Sequence, residues 1–479
     1  MRVVLVNPPL SGEERYGALA AGGVYLPPLG IAILAQIARD KRHDSFIIDA
    51  EAEQLTTEQT IKRLINIDPD VVGISAATVA IYSAASLAER FKKRKKSTPV
   101  IIGGPHITAI PGETMRCFPG FDIGVIGEGE CALAELLDVL RDGSDLKTIA
   151  GIIFRIDGKI IETGPRELIA DLDTIPFPAW DLLPDIRRRY RPSAFGFQRL
   201  PATSFVTSRG CPSRCSFCNQ GPWGKKRYRE HSVPYLLDMI RILYHSYGIR
   251  DLVIYDGTFG VNKERLIAFC EALIRENLNL VWSSNARVNM LTPDILRLMR
   301  RAGCWGIAYG IESGSQEILD FLQKGIDLEG VRRAITWTKQ AGIIAKGYIM
   351  VGVPKDTRET IRETMDFVLT LDLDLLTVNH FTPFPGTLDY ERAGQYGFFN
   401  KDWRLANEHS MAFVPEGLSR EEVERAIREI TRRFYLRPRI IKNQLHLLAN
   451  PHKCALIIKG AIALMKFITQ KNSTYGKKA

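Results

Sequence analysis

Short apolar, β-branched runs alternate with amphipathic stretches of helical length through the first third of the chain. Strands are expected at Val3–Val6, Ser45–Ile48, Val71–Ser75, Val100–Ile102 and Ile123–Ile126. Helices are expected between them, at Gly30–Asp40, Thr57–Ile65 and Ser83–Lys93. This alternation predicts a doubly wound, Rossmann-like α/β domain over residues 1–145. Gly151–Thr163 reads as a hairpin turning at Asp157-Gly158, and the proline-rich stretch from Leu172 to Pro184 as a linker, so residues 146–195 form a hairpin and linker. A second alternation starts near Pro201, with strands expected at Ser204–Thr207, Asp251–Tyr255, Leu280–Ser284, Trp305–Tyr309, Gly347–Val351 and Leu375–His380. Six strand–helix units are too few to close an eight-stranded barrel, so residues 196–395 read as a partial (β/α)6 barrel. Residues 396–479 read as a helical, basic C-terminal region.

At 479 residues, 45% hydrophobic and 25% charged, the chain has the composition of a soluble protein of several domains. The opening Met1-Arg-Val-Val-Leu-Val-Asn-Pro reads as a short strand running into a Pro-Pro turn and is not expected to be a signal peptide. The net charge of +10 is localised. From Thr431 to Ala479 there are eleven Lys or Arg and no Asp or Glu, which leaves residues 1–430 at −1. A neutral body gives no reason to expect nucleic-acid binding. Within the tail, Lys453–Ile468 is apolar but interrupted by Lys459 and Lys466, and is shorter than the roughly 20 residues that span a bilayer. It reads either as an interfacial helix on anionic lipid, giving peripheral contact at the inner membrane surface, or as a terminal helix packed on the body.

Three of the eight cysteines lie together, as Cys211-Pro-Ser-Arg-Cys215-Ser-Phe-Cys218, on a loop following an apolar strand. The others, Cys117, Cys131, Cys270, Cys304 and Cys454, show no framework spacing, which points to a reducing cytoplasm. Three thiolates at this spacing suit a 4Fe–4S cluster that keeps one iron open, whereas a structural zinc site takes four closed ligands. A zinc knuckle would have to borrow a distant fourth ligand. A chance cluster of core cysteines fits poorly with Pro212, Ser213, Arg214 and Ser216.

In the N-terminal domain the loops expected at the strands' carboxyl ends are Asn7-Pro8-Pro9, Ser75-Ala-Ala-Thr78, Gly103-Gly-Pro-His106 and Gly127-Glu-Gly-Glu130. Parallel α/β sheets bind ligands at that edge, and none of these loops is a GxGxxG dinucleotide fingerprint. Alone they are equally compatible with a flavodoxin-like support domain.

The CxxxCxxC spacing resembles the radical S-adenosylmethionine (SAM) superfamily. The order of an α/β domain, a Pro-Phe-Pro-Ala-Trp linker and then the cysteines is similar to its cobalamin (B12)-binding class, over about residues 1–395. The resemblance implies that Cys211, Cys215 and Cys218 hold the 4Fe–4S cluster, that SAM chelates the open iron, and that Phe217 lies beside its adenine. Tyr255-Asp-Gly-Thr-Phe-Gly260 resembles the segment that receives the SAM ammonium group. Gly257 replaces a second acid there, leaving Asp256, alone or with Thr258, to take that role. Arg287 matches an arginine that pairs with the SAM carboxylate, and Gly310-Ile-Glu312-Ser313-Gly314 a motif serving ribose or amine, with a helix cap at Ser313 or Ser315 as the structural alternative. Gly352 belongs to a fifth-strand wall against adenine. Ser75, Gly103 and Gly104 would line the channel for the cobalamin nucleotide tail. His106 is the one histidine expected on that rim, as a cofactor contact or as a loop histidine bonded to backbone.

The activity so implied is radical modification of an unactivated carbon on a small lipophilic substrate, by C-methylation. An electron donor such as flavodoxin or ferredoxin would serve the cluster. The alternatives are an oxidative cyclase or rearrangement enzyme without methyl transfer, a radical SAM enzyme without cobalamin, and a non-catalytic zinc-bound interaction module.

Overall fold

A computed structural model describes residues 1–16, 24–190, 196–219 and 227–448, together with Ile462. The segment Lys453–Ile468, read above as an interfacial or packed helix, lies outside the described residues apart from Ile462. Among the described residues no helix is long and apolar enough to cross a membrane.

The N-terminal sheet has seven strands in the order β2-β1-β3-β4-β5-β6-β7. The first five are β1 (Arg2–Asn7), β2 (Asp44–Asp49), β3 (Val71–Ser75), β4 (Val100–Gly103) and β5 (Ile123–Val125). All five run parallel. Their expected positions hold to within one or two residues, because strands covered on both faces must be apolar almost throughout. Val3, Val4, Val6, Val72 and Ile102 are indeed fully buried. The hairpin, β6 (Ile152–Ile156) and β7 (Lys159–Glu162), is not part of a linker. It extends the first sheet, β6 lying antiparallel on β5. The strand order reverses between β1 and β3, so a ligand crevice opens beyond Asn7 and Ser75.

The second sheet is parallel, in the order β8 (Ala202–Phe205), β11 (Asp251–Phe259), β12 (Val281–Ala286), β13 (Cys304–Glu312), β14 (Ile344–Val351) and β15 (Leu375–His380). Between β8 and β11 a ribbon of β9 (Ser208–Arg209) and β10 (Arg229–Glu230) forms the stem of the cysteine loop. Two-residue strands have no periodicity, and none was expected there.

A partial barrel leaves an edge strand whose backbone must be satisfied. The helix Arg420–Tyr435 lies along β15 and places Tyr435 there, its hydroxyl donating to Leu376 O at 2.8 Å and accepting from Leu376 N at 3.3 Å. The C-terminal region is not purely helical. β16 (Gly397–Phe399) and β17 (Phe413–Pro415) pair antiparallel before the helices begin.

The linker is a packed strap. Trp180, Leu183, Ile186 and Tyr190 join the barrel's core together with Ala32 and Ala52 of the first domain, and the Tyr190 hydroxyl donates to Asp49 Oδ2 at 2.6 Å.

Candidate functional site

The cysteine loop leaves β9 through Gly210, whose φ of +82° suits a residue without a Cβ. Cys211, Cys215 and Cys218 follow, none of them in a disulfide and all half-buried at the carboxyl end of the barrel sheet. The loop is tied down at several points. Ser216 N donates to Leu322 O at 2.9 Å, and Ser216 Oγ to Asp389 Oδ2 at 2.9 Å. Two thiols have polar neighbours, Thr258 Oγ1 at 2.9 Å from Cys211 Sγ and Arg287 Nη1 donating to Cys215 Sγ at 3.4 Å. Among the described residues no three His, Cys, Asp or Glu side chains converge as around a single metal ion. Three separate thiols, one with the Arg287 donor against its sulfur, fit an iron–sulfur cluster.

Asp256, expected at the SAM ammonium group, has other partners. It is 5% exposed and accepts from Thr207 N at 2.7 Å, Ser208 N at 3.2 Å and Ser208 Oγ at 2.7 Å. Burial pushes its pKa up, against the pull of those bonds. It clamps the stem of the cysteine loop through these bonds to Thr207 and Ser208. Thr258, expected to share that role, lies instead against Cys211.

Glu312 ends β13 in a left-handed conformation, φ +68°, and pairs with Lys324 Nζ at 2.5 Å. Any Cβ at Gly310 would collide with both groups. The Lys324 ammonium also lies 5.6 Å from the centre of the Phe217 ring. Lys324 was missed in the sequence, since nothing local marks it as Glu312's partner. Ser313 turns inward instead of towards a cofactor, bonding Thr364 Oγ1 at 2.9 Å and receiving Ser315 N at 3.1 Å. Gly352 is likewise a packing glycine. A Cβ there would stand 3.1 Å from Val423, and Gly352 N donates to Asp356, which burial pushes up to about 6.

Along the N-terminal edge, Gly103 opens onto free space, where a Cβ would meet nothing within 4 Å. Gly127 is similarly open. Gly104 (φ +99°) has no such room, its Cβ position being 2.9 Å from Ala76 backbone and Ser75 Oγ. Half-buried Ser75 and open Gly103 therefore fit a channel for a ligand tail, while Gly104 makes the turn that shapes it. His106 is not on the rim. It is completely buried with its ring 4.6 Å from that of Trp403, neither nitrogen has a hydrogen-bond partner, and burial pushes its pKa down to about 3. It is a core histidine, which corrects its reading as a cofactor contact.

The two edges face each other. Arg209, two residues before Cys211, reaches Glu128 Oε1 at 3.1 Å and Glu130 Oε1 at 2.5 Å. Burial opposes ionisation of Glu128, but Arg229, Ile169 N and Arg209 together hold its carboxyl below the usual range. A cavity of about 110 Å³ lies at the edge of β1 and β2, lined in part by Asn7, Arg15, Tyr16, Asp49 and Glu51. Within the barrel, Tyr255, Lys346, Tyr348 and Asn379 line the lumen. Lys346 Nζ sits 4.5 Å from the centre of the Tyr348 ring, and Asn379 Nδ2 donates to Glu408 Oε2 at 3.1 Å. None of these lumen residues was singled out in the sequence, because lumen-facing positions emerge only from strand register.

Comparison with known proteins agrees with this geometry. Residues 205–368 match the family model of the Radical SAM superfamily, and residues 17–137 that of the B12 binding domain. An uncharacterized methyltransferase of Pyrococcus horikoshii is 35% identical over 446 residues, covering 92% of this chain and 94% of that one. The anaerobic magnesium-protoporphyrin IX monomethyl ester cyclase of Rubrivivax gelatinosus is 29% identical over 91% of this chain and 78% of its own. The radical SAM methyltransferase TsrM of Kitasatospora setae, solved with cobalamin and a [4Fe-4S] cluster, shares the fold at a TM-score of 0.67 and 20% identity, over 82% of this chain and 75% of its own. The two matched domains, their order and the three thiols at their junction place the chain in the cobalamin-binding radical SAM family, as an enzyme whose cofactors are a 4Fe–4S cluster, S-adenosylmethionine and cobalamin.

Proposed function

We propose that the enzyme C-methylates an unactivated carbon of a small lipophilic substrate bearing a polar group. The single observation carrying this reading is the pairing of Arg209 with Glu128, which holds the carboxyl edge of the N-terminal sheet against the stem of the cysteine loop. Bound there, the cofactors supply an adenosyl radical from SAM and a methyl group from cobalamin. The protein's own residues hold and shield the parts. Cys211, Cys215 and Cys218 bind the cluster, Arg287 sets a positive charge beside Cys215, and Phe217 with the Lys324–Glu312 pair borders the SAM side. Ser75 and Gly103 take the cobalamin tail. Tyr255 and Tyr348 offer aromatic walls to an apolar body, while Lys346, the unpartnered Oδ1 of buried Asn379, and Glu408 suit its polar group. Burial, reinforced by the Glu312 charge, raises the Glu408 pKa, which suits it to share a proton with substrate.

Seven described cysteines with no disulfide among them support a reducing, cytoplasmic setting, where flavodoxin or ferredoxin would supply the electron. The acid-free basic tail supports peripheral contact with the inner membrane surface.

Anaerobic reconstitution with trideuteromethyl SAM and hydroxocobalamin tests the reading, with magnesium-protoporphyrin monomethyl ester and a hopanoid as first substrates. Formation of 5′-deoxyadenosine, S-adenosylhomocysteine and a trideuteromethylated product is expected. Substrate oxidation with 5′-deoxyadenosine but no label transfer would make the enzyme a cyclase instead.

A further inference from the structure

Hydrogen bonds and short stretches of backbone together link the cobalamin side of the N-terminal sheet to the cysteine loop. Thr108 Oγ1 donates to Gly104 O at 2.9 Å and receives Gly127 N at 3.1 Å. Glu128, next in the chain, is the N-cap residue of helix Gly129–Asp142 and receives both arms of Arg229 at 2.8 and 2.9 Å, Ile169 N at 2.9 Å and Arg209 Nη1 at 3.1 Å. The other arm of Arg209 bonds Glu130 at 2.5 Å. Arg209 and Arg229 face each other across the β9–β10 ribbon. Beside Arg209, Ser208 is bonded through N and Oγ to Asp256, and Cys211 lies two residues further on.

The stem of the cysteine loop is therefore held from two sides, by a barrel strand through Ser208 and by the N-terminal domain through Arg209. The guanidinium fork is planar and rigid, so it transmits a displacement of the carboxylates it grips. Glu128 and Arg229 are nearly buried, their side chains 6% and 10% exposed, and partners of this kind move together because separating them leaves an unpaired buried charge.

We infer that Glu128 and Arg209 are positioning residues that couple the two cofactor sites. Ligand filling the channel at Gly103 and Gly104 shifts the Gly127–Glu130 loop and, through Arg209, the setting of Cys211. By reciprocity, loading the cluster changes the affinity for cobalamin. This rests on cobalamin binding at the carboxyl edge of the N-terminal sheet.

Equilibrium dialysis of hydroxocobalamin against the full-length protein, cluster-free or reconstituted with iron and sulfide, reads the coupling directly. In the wild type the two dissociation constants should differ by about fivefold or more. Glu128→Gln and Arg209→Gln should bring their ratio to within about twofold, with iron and sulfide per chain unchanged. Arg209→Lys, which keeps the charge but loses the fork, should give an intermediate ratio, an effect that merely weakened folding would not produce. Should Arg209→Gln fail to fold, Glu128→Gln, isosteric and distant in sequence from the cysteines, carries the test. Equal wild-type affinities, or a ratio that survives in Glu128→Gln, would overturn the coupling. Failure of both wild-type states to bind hydroxocobalamin would instead overturn the cobalamin site itself, and the coupling with it.

Discussion

The Lys324 ammonium stands 2.5 Å from the Glu312 carboxylate, with both residues more than nine-tenths buried beneath the Phe217 ring. Breaking such a pair strands one charge in the interior. Lys324→Met is expected to destabilise the fold by about 3–5 kcal/mol in denaturant titration. Combining it with Glu312→Gln should recover most of that loss, because no unpaired charge remains. A single variant within about 1 kcal/mol of wild type would mean that solvent screens the pair after all.

Arg287 donates to Cys215 Sγ at 3.4 Å and to the Lys324 carbonyl, so it bridges the cysteine loop and the Lys324 segment. A cation and donor beside a cluster sulfur stabilise the more negative, reduced state. Arg287→Gln should keep its iron and sulfide but show a lower reduction potential in dye-linked titration, and Arg287→Lys a smaller shift in the same direction. An unchanged potential in Arg287→Gln would show that the arginine acts on the loop alone.

The adjacent glycines Gly103 and Gly104 should respond differently to the same substitution. Gly104→Ala forces a Cβ into a φ of +99° and to within 2.9 Å of Ala76 and Ser75, and should cost about 1–3 kcal/mol of stability. Gly103→Ala meets nothing within 4 Å, so its melting temperature should stay at the wild-type value while hydroxocobalamin affinity falls. Calorimetry and dialysis on the two variants separate turn geometry from ligand space.

His106 has a pKa near 6.5 when unfolded and about 3 in the fold, because its burial penalises the charged form. A lowered histidine contributes its stability in full above pH 6.5 and loses it progressively as pH falls towards 3. The contribution to the slope is at most about 1.4 kcal/mol per pH unit. His106→Phe should flatten stability between pH 6.5 and 4 and raise it at acid pH, since neither ring nitrogen gives up a partner. His380, also held near 3 by burial, should keep some slope in place. An unaltered acid limb in His106→Phe would show that the ring is already protonated in the fold.

The parts of the molecule legible in the sequence are those governed by neighbours along the chain. β3 and β4 fall where their apolar runs lie, because a strand inside a parallel sheet has little freedom of composition. The three cysteines announce themselves because their spacing brings them onto one loop. For Asp256 the motif gives the position at a strand end but not the partners, Thr207 and Ser208, which come from the stem of the cysteine loop. His106 is a similar case. It follows a glycine pair at the ligand edge, yet Trp403 packs onto its ring and belongs to a different region of the chain.

By itself the sequence determined two α/β units, the thiol cluster and the family to which they point, since alternation and short-range spacing are local properties of a chain. Tertiary structure alone decided which side chains share a site. Glu128 and Arg209 lie 81 residues apart, Ser216 and Asp389 173, and Asn379 and Glu408 29. Such pairs carry no periodic or positional signal, because they form only when two domains and the loops between them fold onto a common face.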